Sequence, residues 1–343
     1  MPALLLWVQW HRVASVRAVT AVATTTALVL GDTVHLAATN YPYYWGPTHP
    51  TSATPGLDEA RQAREDAQRA LEDQRRELAQ ALSRVDLNRY PEPSGRELRG
   101  LLARKMGVPP GMELLLGNGS DDLIQIITLA LSRPGAVMMY PAPTFVMYSM
   151  NAVLTGMRAV PVPLRDDFSF DAEAFIARMR AERPALVFLA YPNNPTGVLY
   201  PEADVVRIIE ACEGLVVLDE AYHVFAGRTF MPQLARYGNL AVLRTVSKLG
   251  LAGIRLGYLA ARPEWIAELN KVRQAYNVNV LTQAAALFVL ERLEVLEEQA
   301  ARIRQEREVL GQALARMPGV TVFPSEANFF LVRVPDADRT HEA

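Results

Sequence analysis

The 343-residue chain is 50% apolar and 21% charged, which excludes a disordered or fibrous protein and leaves room for about two domains. Its 35 Lys+Arg against 37 Asp+Glu give a net charge of −2, which supplies no electrostatic footprint for nucleic acid or an anionic membrane. One cysteine, Cys212, rules out an intrachain disulfide framework and a cysteine-cluster metal site, and the five histidines lack HExxH or zinc-finger spacing. A soluble, intracellular protein without a metal is expected.

No acid precedes Asp32. The longest uncharged run there, Ala18–Gly31, has 14 residues with four threonines, too short and too polar to span a bilayer. Residues 1–56 are expected to be an N-terminal extension, and its 41–56 end (YPYYWGPTHPTSATPG) reads as loop. From Leu57 to Arg84 come seven acids, six arginines and no Gly or Pro, which predicts one long helix held by charge pairs three or four residues apart, and residues 57–86 are expected to be that helix and the start of a small-domain or dimer region.

A rhythm then sets in. Short apolar strands are predicted at Leu114–Leu116, Ala136–Tyr140, Ala159–Val162, Ala185–Tyr191, Leu215–Leu218 and Ala241–Thr245, with a helix at Asp122–Leu131 and helical or turn-rich stretches between the others. Apolar runs alternating with helices predict a mostly parallel sheet covered on both faces, a large α/β domain over 87–260. Past Gly257 the pattern changes to long helices at Pro263–Gln274 and Leu281–Met317, then two strand-like pieces, Val320–Phe323 and Phe329–Val334. Residues 261–343 are thus expected to be connecting helices and part of a smaller α+β domain.

In open α/β sheets a ligand sits beyond the carboxyl ends of the strands. Those ends carry Gly117-Asn118-Gly119-Ser120-Asp121, Pro141-Ala142-Pro143-Thr144-Phe145, Tyr191-Pro192-Asn193-Asn194-Pro195-Thr196-Gly197, Asp219-Glu220-Ala221-Tyr222 and Thr245-Val246-Ser247-Lys248. Each has a bland alternative: Ser120 as a helix N-cap, the asparagine-rich run as a plain turn, Lys248 as a surface lysine. The run VVLDE mimics a Mg-binding strand, yet G-x-x-x-x-G-K-[ST] and G-x-G-x-x-G are both missing, so nucleotide-hydrolase and dinucleotide folds fail.

Together the segments LNRYPEPSGRELR (87–99), LLGNGSDDLIQ (115–125), YPAPTFVMY (140–148), YPNNPTG (191–197), VVLDEAYHVF (216–225), RTVSKLGLAGIRLGY (244–258), YNVN (276–279) and SEANFFLVRV (325–334) resemble the pyridoxal-phosphate (PLP) aminotransferases of fold type I. More narrowly, they are similar to the histidinol-phosphate aminotransferase family. The resemblance spans about Asp86 to Val334, and NPTG, DEAY and SK-x-x-LAG-x-R-x-GY in that order are highly specific.

The resemblance implies a role for each matching residue. Lys248 would hold the cofactor aldehyde and then shuttle a proton. Asp219 would face the pyridine nitrogen, with Glu220 structural, and Asn194 and Tyr222 would donate to the phenolic oxygen. For the phosphate it implies the N–H groups of Gly119 and Ser120, the hydroxyls of Thr245 and Ser247, and the Arg255 guanidinium. Phe145 would stack on the ring. The family is dimeric, and Tyr90 matches the tyrosine that reaches the neighbouring subunit's phosphate.

The implied reaction is transamination between glutamate/2-oxoglutarate and histidinol phosphate/imidazole acetol phosphate, in the cytoplasm. An aromatic-amino-acid aminotransferase and a threonine-phosphate decarboxylase share the same cofactor site and remain open, as does a catalytically impaired PLP-binding fragment. The family's N-terminal Asn-Glu-Asn-Pro segment is matched only by Asn40-Tyr41-Pro42, and the family continues beyond Ala343 into a part carrying a substrate-gripping arginine. Cofactor binding is therefore expected to be intact and turnover to be poor.

Overall fold

A computed structural model describes residues 69, 72–337 and 340, and the backbone of 33–37. The remainder of the expected extension, and the part of the predicted helix before residue 72 other than 69, lie outside the described residues. In chain order the elements begin with β1 (Thr33–Ala37), α1 (72–83), α2 (Arg96–Lys105), β2 (Glu113–Gly117), α3 (Ser120–Leu131), β3 (Val137–Ala142), α4 (Met147–Thr155) and β4 (Arg158–Pro163). Next come α5 (Ala172–Glu182), β5 (Leu186–Ala190), α6 (Glu202–Ala211), β6 (Leu215–Asp219), α7 (His223–Ala226), β7 (Leu240–Thr245) and β8 (Gly257–Ala261). The last are α8 (Pro263–Asn270), α9 (Val280–Leu290), α10 (Leu293–Ala315), β9 (Thr321–Val322) and β10 (Phe329–Arg333).

Seven strands form one sheet in the order β2-β8-β7-β6-β5-β3-β4. The apolar strands are buried on both faces, as an α/β sandwich requires: every residue of β5, β6 and β7 is buried. Alternate residues feed two cores. Val187 and Leu189 pack with Leu98, Leu102, Phe175 and Ile208 on one side, while Leu186 and Phe188 pack with Leu123, Ile127, Tyr148 and Leu269 on the other. Helix α6 shows how the cover is written in sequence, with Val205, Ile208 and Ile209 on one stripe facing inward.

Three sequence expectations are corrected. First, the strand pattern does not end at Thr245: β8 runs antiparallel between β2 and β7, so the sheet is mixed. Its GYLAA sequence has little β-branched bulk, but all five residues are buried, and small residues let neighbouring backbones approach. Second, the helix expected over Leu281–Met317 is two helices. Arg292 sits at the break in a non-helical conformation (φ −114°, ψ 34°), with its guanidinium 3.9 Å from the Phe288 ring centroid and one N–H donated to Glu77 of α1. Third, α8 stops at Asn270, and the following stretch reaches back to the sheet edge through Asn277.

A second, three-stranded antiparallel sheet has the order β1-β10-β9. Thr33–Ala37, inside the stretch read as an extension, pairs along the whole of β10. A small apolar cluster of Leu314, Phe330, Val332, Val334 and Ala337 joins this sheet to α10. No helix among the described residues is long and apolar enough to cross a membrane.

Candidate active site

Five loops meet at the carboxyl edge of the large sheet, following β2, β3, β5, β6 and β7. Register explains their convergence: Ala190 of β5 pairs with Asp219 of β6, and Asp219 with Leu243 of β7, so the strand ends stand side by side. The sequence-predicted residues Asn194, Asp219, Tyr222, Thr245, Ser247 and Lys248 are brought to this edge.

Asp219 is the last residue of β6 and only 4% exposed. Its Oδ2 accepts from the Tyr148 hydroxyl at 2.8 Å and its Oδ1 from the Ala221 N–H at 3.1 Å. Burial pushes the carboxyl up to about 6, against those two hydrogen bonds and the Lys248 charge, while the Asp121 charge adds to the rise. Lys248 lies in a single 3-10 turn, Ser247–Leu249, directly after β7. Its Nζ is 5.2 Å from the centroid of the Tyr222 ring, and the Tyr222 hydroxyl accepts from Asn194 Nδ2 at 3.3 Å. Phe145 stands edge-on to Tyr148, ring centroids 5.8 Å apart.

The turn before α3 forms the other half of the site. Gly119 is the N-cap, with φ 85°, and Ser120 opens the helix, so Ser120 is not the cap. The Gly119 N–H, expected among the phosphate donors, is instead turned back to Gly117 O at 2.9 Å, which leaves the N–H groups of the first turn of α3, starting at Ser120, to face an anion. A Cβ on Gly119 would lie 2.6 Å from Arg255 Nη2, and one on Gly257 would lie 2.6 Å from the Gly119 carbonyl carbon and Ser120 N. Two glycines thus let the β8 backbone and the Arg255 side chain close on the helix start. Arg255 adopts φ 50° to get there, and its guanidinium meets Asp121 at 3.1 Å. Thr245 Oγ1 lies 2.9 Å from Ser247 Oγ and accepts from the Ser247 N–H.

Several supports escaped the sequence reading. Asn277, in the YNVN segment, donates to Leu116 O and to Asp122 Oδ2, and Asp122 Oδ2 also accepts from the Asn118 N–H. Asn193 bonds Thr144 and Thr196 and donates to Pro143 O, locking two loops together. Beneath the site Glu220, for which a structural role was expected, forms an almost fully buried ion pair at 2.8 Å with Arg244, the partner the sequence did not point to. Tyr148 carried no local signal, because α4 mixes Ser149, Asn151 and Thr155 with apolar residues, several of them exposed. Tyr90 is placed elsewhere. It is 81% exposed and stacked on Tyr276 with centroids 4.6 Å apart, so within one chain it stays outside the Lys248 cluster.

The buried acid makes stability pH-dependent. Because the folded carboxyl titrates near 6 and the unfolded one near 3.8, the fold holds the extra proton between those values. Stability therefore falls as pH rises through that window, by about 3 kcal/mol in the cofactor-free protein. His223 acts with the opposite slope: burial and then the Arg244 charge push it down to about 3, so acidification below about 6.5 favours the unfolded chain. Comparing wild type with Asp219→Asn separates the two. In urea titrations the wild type should lose about 2–2.5 kcal/mol relative to the variant between pH 4 and 7, and a constant difference would mean that Asp219 is not buried as described.

Comparison with known proteins gives a consistent result. The profile of the family Aminotransferase class I and II matches residues 58–343. The chain is 56% identical over 273 residues to a histidinol-phosphate aminotransferase of Cupriavidus pinatubonensis, covering 78% of this chain and 75% of that protein. It is 55% identical over 265 residues to one of Ralstonia nicotianae, covering 76% and 71%. Among solved structures, the histidinol-phosphate aminotransferase of Sinorhizobium meliloti in complex with pyridoxal-5'-phosphate superposes with a TM-score of 0.68 at 30% identity, over 76% of this chain and 72% of that one. An L-threonine-O-3-phosphate decarboxylase of Porphyromonas gingivalis superposes with a TM-score of 0.64 at 25% identity, over 76% and 78%.

Proposed function

The chain belongs to the class I and II aminotransferases, and we propose that it is a PLP-dependent, cytoplasmic, homodimeric enzyme that exchanges an amino group between histidinol phosphate/imidazole acetol phosphate and glutamate/2-oxoglutarate. The observation that carries this is the gathering of Lys248, Asp219, Tyr222 and Asn194 at one sheet edge, opposite a glycine-lined helix start with Arg255. The identity of 55–56% to histidinol-phosphate aminotransferases favours that substrate over aromatic amino acids and over the decarboxylase chemistry of the 25% identical neighbour.

The residues fit PLP on physical grounds. A buried carboxylate held only partly by neutral donors suits a protonated ring nitrogen, and a cradle that any Cβ would fill suits a phosphate against backbone N–H groups. When bound, PLP supplies an aldehyde carbon that accepts amines and a ring that takes up an electron pair. The protein's own groups do the rest. Lys248 Nζ would hold that carbon and move a proton to and from the substrate. Asp219 would keep the ring nitrogen protonated, and Asn194 and Tyr222 would hold the phenolic oxygen. Ser120, Thr245, Ser247 and Arg255 would take the phosphate, with Gly119 supplying the room, and Phe145 would cover the ring. Tyr90, exposed on each chain, would complete the partner subunit's phosphate site.

The test is direct. Purified protein incubated with PLP should turn yellow, and borohydride should fix a pyridoxyl group on Lys248 alone. Turnover should be faster with histidinol phosphate than with phenylalanine or tyrosine as amino donor to 2-oxoglutarate. Labelling at another lysine would remove the cofactor assignment, and a preference for aromatic amino acids would move the substrate assignment to the rival aminotransferase.

A further inference from the structure

Tyr148 is fully buried in α4, and its ring lies flat on Phe188 of β5, centroids 4.5 Å apart and planes 5° off parallel. The stack fixes where the hydroxyl points: to Asp219 Oδ2 at 2.8 Å. The other carboxylate oxygen accepts from the Ala221 N–H two residues on. The two oxygens are thus held from different directions, one by a side chain 71 residues away and one by the local backbone.

We propose that Tyr148 is a positioning residue for Asp219: its hydroxyl and the Ala221 N–H together fix the plane of the carboxylate so that a free lone pair faces the ring nitrogen of the bound cofactor. This rests on the PLP assignment above. A phenol suits the task. Burial first, and then the adjacent carboxylate, push the Tyr148 hydroxyl well above its ordinary range, so it remains a neutral donor at any working pH. A neutral donor supports the carboxylate charge without cancelling it, so Asp219 keeps its attraction for a pyridinium. A protonated histidine or an arginine in the same place would compete with the cofactor for that charge. The charged and titratable groups bearing on this pair are Lys248, which favours ionised Asp219, Asp121, which opposes it, and Tyr200 and Tyr222 beside Tyr148.

Tyr148→Phe removes the hydroxyl and keeps the stack. With wild-type protein as reference, PLP affinity should fall about tenfold, the equivalent of one hydrogen bond to a charged group. Affinity for an analogue with carbon in place of the ring nitrogen should stay the same, because the effect acts through Asp219. In the cofactor-free protein the Asp219 carboxyl, followed by carbon NMR, should titrate about one pH unit higher in the variant. Equal loss for both ligands would reduce Tyr148 to packing, and unchanged PLP affinity or an unchanged carboxyl midpoint would overturn the proposal. Failure of the wild type itself to hold PLP on Lys248 would instead strike the functional assignment. Should Tyr148→Phe not fold, 3-fluorotyrosine at the same position, a stronger donor of nearly the same shape, should lower the carboxyl midpoint, and no shift would refute the role.

Discussion

Replacing Lys248 with alanine should lower kcat by a factor on the order of 10³–10⁴ or more, while the protein remains folded. In the proposed function Lys248 would do two things: hold the carbon of the cofactor and carry a proton between that carbon and the substrate. Its position supports both. The residue follows β7 in a tight turn, closed by Gly250 at φ 93°, so the backbone that bears the amine is set by a fully buried strand. The side chain is only part-buried beside Tyr222, so its truncation should change stability by about 1 kcal/mol or less. Single-turnover kinetics and urea unfolding on the same preparation would check both halves. Added small primary amines should recover part of the proton transfer. A kcat within tenfold of wild type would show that some other group performs the chemistry.

The largest effect on stability is expected one layer below. Arg244 Nε and Nη2 both donate to Glu220 Oε2, at 2.9 and 2.8 Å. Glu220 also accepts from the Thr229 hydroxyl and from the Phe230 N–H, and Arg244 reaches the Tyr258 hydroxyl. Nearly every polar atom of the pair is engaged. Glu220→Ala would leave a guanidinium buried without its counter-charge and should cost about 3–5 kcal/mol, as should Arg244→Ala. The double variant should cost much less than the sum, because it removes both charges together. Urea titrations of the three variants would show this. Additive losses would mean that the two side chains do not act as a pair.

That layer also shows what sequence can and cannot reveal. The strand ends were legible because β5, β6 and β7 are continuous apolar runs, each followed by polar turn formers, and the polar residues then fall where the sheet presents ligands. The motif segments added the roles. Strand β8 was not legible, since glycine and alanine carry no strand signal and are chosen there for backbone proximity. Nor was the break between α9 and α10, where a Glu-Arg pair without Gly or Pro is interrupted by packing: Leu290 and Leu293 both turn inward across it. Arg304 and Arg307 look like solvent-facing charges in a charged helix. The structure instead directs them to the carbonyls of Val224 and Phe225 in α7, with Arg307 also bonding Ala327 O and Glu326. Long-range hydrogen bonds of this kind leave no local pattern, and the same holds for Tyr148 and Asp219.

The contact between Gly119 and Gly257 has a consequence in time. The turn that opens α3 is held by residues far downstream: Gly257 and Arg255 press against it, and Asn277 clamps it 155 residues after Asp122. At a synthesis rate of roughly 5–20 residues per second, those residues leave the ribosome roughly 7–30 s after the turn itself. During that interval β2 lacks its β8 partner, and the helix start has nothing holding its glycine turn. Loop closure over so long a separation also makes this edge of the sheet slow to assemble. A nascent chain therefore carries every strand from β3 to β7 before the turn that opens α3 is clamped, and the proposed phosphate cradle would be finished after the floor on which the ring would rest.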